Sequence, residues 1–389
     1  MGGKGSLEGK VLFTASTYSH IVNFHLPYLE WFQERGWEVH VGCGGARVEI
    51  PWADEVIDLP LKKSMLSGTN WRAARELRRR IEGEGYDLIC THTALASFFT
   101  RYAVLGKGER PRVVNMVHGY LFDDETPVIK RSVLLGAERL MAKETDLVVT
   151  MNRWDDEAAR RYRLGREVVH IPGVGVDYGR LEAGAAAADR AGLRRAHGIR
   201  EDAFVIVYGA EFSKRKSQGV LIQALSHLRE EAVLVLAGDG AERAGCQRLA
   251  EELGVGGRVV FPGQVQGMGA WYAAADAAAS ASRSEGLPFN VMEAQHMGLP
   301  VAASDVKGHR DLIEEGETGL LYPYGDAEAC AQALGRLMES RPLRERLGRQ
   351  GRESAERFAL PRVLPQVAAV YETLLPADRT AKTAAHYLP

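Results

Sequence analysis

Strand-length apolar runs recur along this chain, and helix-length stretches separate them. In the first half they are KVLFTAS (10–16), WEVHVGC (37–43), DLICTH (87–92), RVVNMVH (112–118), DLVVT (146–150) and EVVHI (167–171). In the second half they are FVIVYGA (204–210), AVLVLAG (232–238), RVVFPG (258–263), DAAASAS (276–282) and PVAASD (300–305). Near-continuous apolar runs that alternate with helices are typical of parallel sheets covered on both faces. The sequence therefore predicts an α/β protein.

The alternation is interrupted once, by a Gly- and Ala-rich stretch at 171–193 that we interpret as a linker. Because 389 residues exceed one ordinary core, two domains are expected. We predict two Rossmann-like, doubly wound domains at residues 1–176 and 177–360, facing across a ligand cleft. Residues 361–389 are expected to form a C-terminal helix that packs back toward the first domain, followed by a loose tail.

Composition and charge argue against several classes of protein. The 49 Lys and Arg against 51 Asp and Glu give a net charge of −2, which disfavours a nucleic-acid binder. The four cysteines are scattered without a C-x-x-C pair, so neither a disulfide framework nor a zinc site is expected. No apolar run reaches about 18 residues, and the start lacks the apolar core of a signal peptide. A cytoplasmic location is the expectation.

Two glutamates bound the segment EGLPFNVME at 285–293. Glu285 follows a strand-like run, Gly286 permits a sharp turn, and Pro288 suits the first turn of a helix. The amides at such a helix start attract phosphate, and both carboxylates are within reach of one extended ligand. One would accept from sugar hydroxyls and the other from a ribose diol. The alternative is a helix cap at Glu285 and a surface position for Glu293, and the spacing alone leaves both interpretations open.

Two further segments place polar side chains at strand ends. Lys214, Arg215 and Lys216 lie in the loop after the first strand of the second half, where cations neutralise a diphosphate without a metal. A solvated loop is the alternative. His118 ends a strand of the first half, although a lone histidine also suits a structural role. No G-x-G-x-x-G follows the first strand, which argues against a hydride-transfer enzyme.

Together these segments resemble glycosyltransferase family 4, the retaining nucleotide-sugar transferases with a GT-B fold. The matching signature is S-x-x-EGLPFNVMEA-x-x-x-GLPV-x-x-SD-x-x-G-x-x-DLI-x-x-G-x-x-G, from Ser282 to Gly319. In the first half, THTALASFFTR, VHGYLF and HIPGVGVD (170–177) resemble the bacterial subgroup that builds capsule, exopolysaccharide or other lipid-linked glycans. The resemblance covers nearly all of residues 10–375.

The resemblance implies transfer of a hexose or N-acetylhexosamine from a UDP-sugar to a lipid-linked glycan acceptor, with no metal and no cofactor. By that resemblance Glu285 touches the donor sugar, Glu293 touches the ribose, and His118 reaches the sugar near its transferred carbon. Lys216 would bind the diphosphate. The resemblance also implies donor contacts from the turn at Gly286 and from the phosphate-binding helix start, which comprises Leu287, Pro288, Phe289 and Asn290. Lys214 would be a second lysine near the diphosphate, and the segment around Val265 and Gln266 would bind the base.

The chain departs from the family pattern at two places. Glu211 stands where many members carry Arg, so the diphosphate role is expected to fall to Lys216, with help from Lys214. The first loop reads STYSHIVNF and lacks the usual Gly-Gly pair, which puts the usual acceptor-side contacts in doubt.

A basic stretch at 61–80 points to a membrane surface. Its seven cations stand against one acid, Glu76, with Met65, Leu66 and Trp71 interleaved: Lys62, Lys63, Arg72, Arg75, Arg78, Arg79 and Arg80. This composition suits docking to an anionic bilayer, and a solvated helix face is the alternative. Peripheral attachment to the inner face of the cell membrane is therefore a further expectation.

Two other functions fit the same features. A non-hydrolysing UDP-sugar epimerase has the same two-domain architecture, and it would release an epimerised UDP-sugar without an acceptor. A catalytically idle partner in a glycan assembly complex is the second alternative. The presence of Glu285, Glu293, His118 and Lys216 argues against the idle partner.

Overall fold

The structure, a computed structural model, describes residues 9–62, 64–65 and 67–375. These residues form two units. One is Val176–Leu360, and the other combines the described residues of Met1–Gly175 with those of Pro361–Pro389. The tail that we expected to be loose falls at 376–389, outside the described residues. Among the helices described, none has both the length and the apolar character needed to span a bilayer.

A parallel sheet forms the centre of the first unit. Its described strands are β1 (Gly9–Ala15), β2 (Trp37–Cys43), β3 (Glu55–Asp58), β4 (Leu88–His92), β5 (Arg112–Val117), β6 (Leu147–Thr150) and β7 (Glu167–His170). They pair in the order β3-β2-β1-β4-β5-β6-β7. Val11, Leu12 and Phe13 of β1 are all fully buried, as expected for a central strand with helices on both faces. The short edge strand β3 was not predicted.

Helices cover this sheet, and one predicted helix is broken. The helices are α1 (Tyr18–Phe24), α2 (Leu26–Glu34), α3 (Gly68–Glu84), α4 (Ala94–Val104), α5 (Val128–Met141) and α6 (Arg153–Tyr162). The helix expected over 23–36 is interrupted at His25, where φ is −126° and ψ is −2°. Pro27 sits in the first turn of α2, where its missing N–H costs no helical hydrogen bond.

The second unit begins with two helices where we expected a linker. They are α7 (Tyr178–Ala186) and α8 (Arg190–Ala196). Each starts at an aspartate whose side chain caps it: Asp177 accepts from the Arg180 amide at 3.1 Å, and Asp189 accepts from the Gly192 amide at 2.9 Å. The linker prediction for 171–193 was therefore wrong, because alanine-rich sequence with aspartate caps favours helix over the glycines.

A second parallel sheet forms the centre of this unit. Its strands are β8 (Phe204–Gly209), β9 (Ala232–Ala237), β10 (Val259–Gly263), β11 (Ala277–Ser280), β12 (Val301–Ser304) and β13 (Leu320–Tyr322). Their order is β10-β9-β8-β11-β12-β13. The remaining helices are α9 (Gln218–Ser226), α10 (Arg243–Glu252), α11 (Gly269–Ala274), α12 (Phe289–His296), α13 (His309–Leu312), α14 (Ala327–Glu339), α15 (Arg341–Ala355) and α16 (Leu360–Glu372).

The last helix, α16, returns to the first unit. Tyr371 is fully buried there, and its ring lies 5.4 Å from that of Phe32 and 6.2 Å from that of Tyr28, measured between centroids. Phe13 of β1 completes the contact at 6.4 Å. The core of the first unit is therefore built from both ends of the chain.

Strand order reverses once in each sheet, between β1 and β4 in the first and between β8 and β11 in the second. In doubly wound folds, ligands bind outside the carboxyl ends of the strands at such a reversal. In the first unit this place lies after Ala15 and beside His92, the last residue of β4. In the second unit it lies between the loops that follow β8 and β11.

Candidate functional site

The reversal in the second sheet brings Glu285 together with two cations of the loop after β8. Lys216 Nζ donates to Glu285 Oε1, and Arg215 Nη1 donates to Glu285 Oε2 at 2.8 Å. Glu285 is only 6% exposed, whereas the Arg215 side chain is half exposed. Glu285 is thus a buried carboxylate paired at both oxygens.

The partners of Glu285 decide its charge. Burial raises the pKa of Glu285, but the attraction of Lys216 and Arg215 outweighs burial and lowers the pKa to about 2. Glu285 is therefore an anion at neutral pH. In this state it can accept hydrogen bonds from a ligand, but it has no proton to donate.

The backbone around Glu285 is held from two sides. The Arg283 amide donates to the Arg215 carbonyl at 2.8 Å, and Arg215 Nη1 also donates to the Ser284 carbonyl at 3.1 Å. On the other side lies Gly308, whose φ is +82°. A Cβ on Gly308 would lie 2.7 Å from the Gly286 oxygen and 2.9 Å from the Glu285 Cβ, so only glycine fits there.

His309 is a second residue of this region for which no role was predicted. It is fully buried, and its Nδ1 donates to the Ser304 carbonyl at 2.7 Å. Ser304 Oγ in turn donates to the Ser282 carbonyl at 2.6 Å, which ties the end of β12 to the loop after β11. Both Gly308 and His309 lie inside the quoted family signature, so that string held the signal for them.

Glu293 lies on α12 in a different environment. Tyr272 Oη donates to Glu293 Oε2 at 3.0 Å. The same hydroxyl lies 3.2 Å from the Asn290 carbonyl oxygen. Burial raises the pKa of Glu293 to about 7, against the opposing effect of the Tyr272 hydrogen bond. At neutral pH Glu285 is therefore fully ionised, whereas Glu293 is only partly ionised.

The other predicted donor residues surround the start of α12 or occupy neighbouring loops. Pro288 is the N-cap of α12, and its carbonyl accepts from the Val291 and Met292 amides at 3.3 Å. The helix begins at Phe289, one residue after the position expected for its first turn. Lys214 is exposed in the loop after β8. Of the other predicted donor residues, Gly286 is buried and Gln266 is exposed. Leu287, Asn290 and Val265 are half-buried.

Glu211, where many family members carry Arg, is exposed, and its carbonyl accepts from Gln218 Nε2 at 2.9 Å. The arginine that reaches Glu285 is instead Arg215, four residues later. The sequence alone does not distinguish Arg215 from a solvated loop residue, because its partner Glu285 is 70 residues away.

In the first unit, His118 follows β5 and lies in a cluster of four histidines. His118 Nε2 is 3.2 Å from His92 Nδ1, and His20 Nε2 is 3.3 Å from His25 Nε2. Burial, followed by repulsion from His20 and His92, lowers the pKa of His118 well below its ordinary value. The imidazole of His118 is therefore neutral at physiological pH, and it is not the lone histidine that the sequence suggested.

The basic stretch at 61–80 is less positive in the folded chain than its composition indicates. Arg79 pairs with Glu76, and Arg78 lies 3.4 Å from Glu82. Arg80 lies 2.7 Å from Glu55, a residue of β3. Lys63 and Leu66 lie outside the described residues.

The exposed aliphatic side chains of the first unit gather elsewhere, on α5. Val128 is 79% exposed and Ile129 is 82% exposed, and Val133 and Leu140 are also exposed. Leu121, in the loop before this helix, is exposed as well. Helix α4 packs against both α3 and α5, so the basic helix and the apolar helix lie on either side of it.

Comparison with known proteins identifies the family of these two units. The model described as "Glycosyl transferase 4-like domain" matches residues 26–175, and "Glycosyl transferases group 1" matches residues 189–354. The putative glycosyltransferase EpsD of Bacillus subtilis (strain 168) is 33% identical over 379 residues, which cover 96% of this chain and 99% of EpsD.

Solved structures agree with the fold. HepE of Anabaena, crystallised with UDP-glucose, superposes with a TM-score of 0.75 at 20% identity, over 94% of this chain and all of HepE. WaaG, a glycosyltransferase involved in lipopolysaccharide biosynthesis, gives 0.73 at 19% identity over 92% of this chain and 99% of WaaG. These likenesses confirm the predicted α/β class with two Rossmann-like domains of the GT-B type.

Proposed function

The chain belongs to glycosyltransferase family 4, and from this premise we propose that it is a retaining transferase acting on nucleotide sugars. It moves a hexose or an N-acetylhexosamine from a UDP-sugar to a lipid-linked glycan acceptor, as a step in the synthesis of a bacterial surface polysaccharide. The UDP-glucose complex of HepE and the lipopolysaccharide role of WaaG support the donor class and the product class.

The observation that carries this proposal is the buried Glu285 held by Lys216 and Arg215 at the reversal of the second sheet. Positive charge at this place suits the diphosphate of a nucleotide sugar. An ionised carboxylate beside it suits the hydroxyls of the attached sugar. One hydrogen-bonded group thus supplies both the cations that a diphosphate needs and the carboxylate that sugar hydroxyls need.

Transfer proceeds by departure of the diphosphate and attack of the acceptor on the same face of the sugar. The bond from the anomeric carbon to the diphosphate oxygen breaks, and its electron pair leaves with the diphosphate. Lys216, assisted by Arg215 and Lys214, stabilises that developing charge, so no metal is needed at the phosphates. The acceptor hydroxyl forms the new bond and gives its proton to an oxygen of the departing diphosphate. Glu285, with its low pKa, orients the sugar and does not act as the base.

The remaining donor contacts follow the arrangement of the second unit. Glu293 accepts from the ribose diol, and the backbone N–H groups of Leu287, Phe289 and Asn290 at the start of α12 hold phosphate. Val265 and Gln266, in the loop after β10, hold the base. In the first unit, the neutral imidazole of His118 contacts the sugar near its transferred carbon.

The acceptor is membrane-bound in this proposal, and the protein works at the cytoplasmic face of the membrane. Two exposed surfaces of the first unit support contact with an anionic bilayer. The basic residues of α3 supply charge, and the aliphatic residues of α5 supply apolar contact. Both helices pack on α4 and therefore belong to one layer.

The test is a donor assay with the full-length protein and a panel of UDP- and GDP-sugars. Release of free nucleotide diphosphate from one UDP-sugar, accelerated by lipid-linked glycan extracts, is the expected result. Glu285→Gln should lower the rate by about 100-fold or more, because the variant loses an acceptor for the sugar hydroxyls in the transition state. Glu339→Gln, at an exposed glutamate of the same unit, is the matched control and should keep the wild-type rate.

Two results would overturn the proposal. Full activity of a folded Glu285→Gln protein would remove the assigned role of Glu285. Conversion of a UDP-sugar to its epimer without acceptor transfer would replace the transferase reaction with epimerisation. Anomeric analysis of the product by NMR tests retention of configuration.

A further inference from the structure

Four histidines of the first unit converge at the carboxyl end of its sheet. His20 lies on α1, His25 lies at the break between α1 and α2, His92 ends β4, and His118 follows β5. One ring nitrogen from each lies within 4.8 Å of the corresponding nitrogens of the other three. The proposed donor chemistry uses only His118, so three of these imidazoles have no assigned purpose.

The spacing of the ring nitrogens is close to that around a tetrahedral metal ion. With Zn–N bonds of about 2.0–2.1 Å, neighbouring ligand nitrogens stand about 3.3 Å apart. The His20–His25 and His92–His118 pairs already lie 3.3 Å and 3.2 Å apart. The wider separations, up to 4.8 Å, exceed this spacing, so binding of an ion requires the rings to move closer together.

Burial gives the cluster a second property of a metal site. His25 and His92 are fully buried, and His25 Nδ1 and His92 Nε2 have no hydrogen-bond partner among the described residues. These are the other ring nitrogens, not the two that approach His20 and His118, so they carry the ring protons when the inner nitrogens offer their lone pairs to an ion.

Neighbouring rings hold the cluster in place. His92 stacks on Phe13 of β1, with 5.6 Å between ring centroids and 8° between the ring planes. His25 lies over His92 at 3.8 Å between centroids. These contacts restrict the two buried ligands before any ion binds, which lowers the entropic cost of binding.

We propose that His20, His25, His92 and His118 bind one divalent transition-metal ion, with Zn²⁺ as the best match to four imidazole ligands. Imidazole nitrogen suits Zn²⁺, Cu²⁺ and Ni²⁺, whereas Mg²⁺ and Ca²⁺ prefer oxygen. This site is in the first unit and is separate from the cations that serve the diphosphate in the second. It revises the expectation from the scattered cysteines that the chain has no zinc site, because histidines supply all four ligands.

Metal binding has a consequence for sugar transfer, and this consequence, unlike binding itself, rests on the proposed function. A ring nitrogen of His118 that ligates the ion is unavailable to the sugar. The ion is therefore an inhibitor of transfer and not a cofactor. Zn²⁺ in slight excess over the protein should suppress activity, and a chelator should restore it.

The binding test uses full-length protein without a histidine tag, stripped with a chelator and then dialysed. Titration calorimetry with ZnCl₂ is expected to give one ion per chain, and CoCl₂ should produce the intense visible absorption of tetrahedral Co²⁺. The double variant His25→Gln/His92→Gln should weaken Zn²⁺ binding by about tenfold or more. His227→Gln, at an exposed histidine of the second unit, is the control and should bind as the wild type does.

Circular dichroism checks that each variant is folded. If the double variant does not fold, His20→Gln replaces it, because His20 is only half buried on a short helix. Wild-type binding that is no tighter than that of the folded variant overturns the metal site. Tight binding without any change in transfer rate keeps the site and overturns the inhibitory consequence. Because calorimetry needs no sugar donor, a failure of the proposed transferase activity leaves the binding result intact.

Discussion

The two sheets both carry buried titratable side chains at the carboxyl ends of their strands, and the two regions treat charge in opposite ways. In the second unit Glu285 keeps its negative charge because Lys216 and Arg215 contact it. In the first unit four imidazoles face one another, and burial keeps them neutral. Burial alone therefore does not determine charge; the partner does. Glu285 is held as an anion by two cations, whereas the four imidazoles are neutral.

The two units also differ at their surfaces. Of the large apolar side chains exposed among the described residues, only Leu253 belongs to the second unit. The others belong to the first unit and include the aliphatic group on α5. The first unit therefore has the surface suited to an apolar partner, and the second unit has the charged group around Glu285.

The largest effect is expected from breaking the ion pair in the second unit. Lys216→Gln leaves buried Glu285 with Arg215, which is half exposed. Transfer should fall by about 100- to 1,000-fold, because a cation that stabilises the leaving diphosphate is lost. Nucleotide release in the presence of acceptor measures this change. Lys143→Gln, at an exposed lysine of the first unit, is the control, and equal rates for the two variants would refute the role of the pair.

Glu293 sharpens the comparison, because it is an acid of the second unit without a cationic partner in the contacts described above. Its pKa of about 7 lies above the 4.5 of an ordinary glutamate, so the folded protein keeps a proton that the unfolded chain releases. The stability linked to this proton is complete below about pH 4.5 and is lost as pH rises through about 7. The loss amounts to about 3 kcal/mol.

Glu293→Gln should remove this pH dependence. The variant should gain stability relative to the wild type as pH rises from about 5 to 8, which corresponds to a rise of several degrees in the thermal midpoint. Differential scanning calorimetry at matched pH values measures the difference. A constant offset between the two proteins across this range would show that Glu293 is ionised throughout.

Gly308 tests whether the geometry of the charged region matters as much as its charge. Gly308→Ala places a Cβ against the Gly286 carbonyl and the Glu285 side chain, and it should slow transfer by about tenfold through displacement of Glu285. Gly316→Ala is the matched control: its φ is +74°, but open space surrounds the added Cβ. Both variants strain the backbone, so an equal loss of rate would attribute the effect to strain alone.

The smallest effect is expected at the surface of the first unit. Val128→Ser/Ile129→Ser removes two of the most exposed aliphatic side chains and should weaken sedimentation with anionic vesicles by about fivefold. Leu253→Ser removes an exposed leucine from the second unit and should bind vesicles as the wild type does. If neither the wild type nor Leu253→Ser sediments at moderate salt, the membrane proposal fails for both α3 and α5.

Much of the fold was predictable from sequence because parallel strands are apolar on both faces. β2 matches its predicted run at 37–43, and the other runs differ from their strands by one or two residues at either end. The strands that were missed, β3 and β13, are short and lie at sheet edges, where a continuous apolar run is not required. The helix break at His25 was missed because Pro27 is equally compatible with a loop or a first turn.

The site was less predictable, because its contacts join residues distant in sequence. Lys216 and Glu285 are 69 residues apart, and no local pattern shows that they meet. In the sequence His118 stands alone at the end of its strand, but in the structure it lies beside His92, the last residue of the neighbouring strand. Knowing that β4 and β5 are adjacent would have placed these two side chains together, which requires strand order and not only strand position.

The return of α16 to the first unit determines the order in which the two units can finish folding during synthesis. The second unit is one continuous segment and is fully translated once Leu360 leaves the ribosome. The first unit begins earlier in the sequence but is completed later. Phe13, Tyr28 and Phe32 lack their packing partner until Tyr371 has been translated. The first unit is therefore completed only after the second, and its aromatic core stays open to chaperones until Tyr371 has been made.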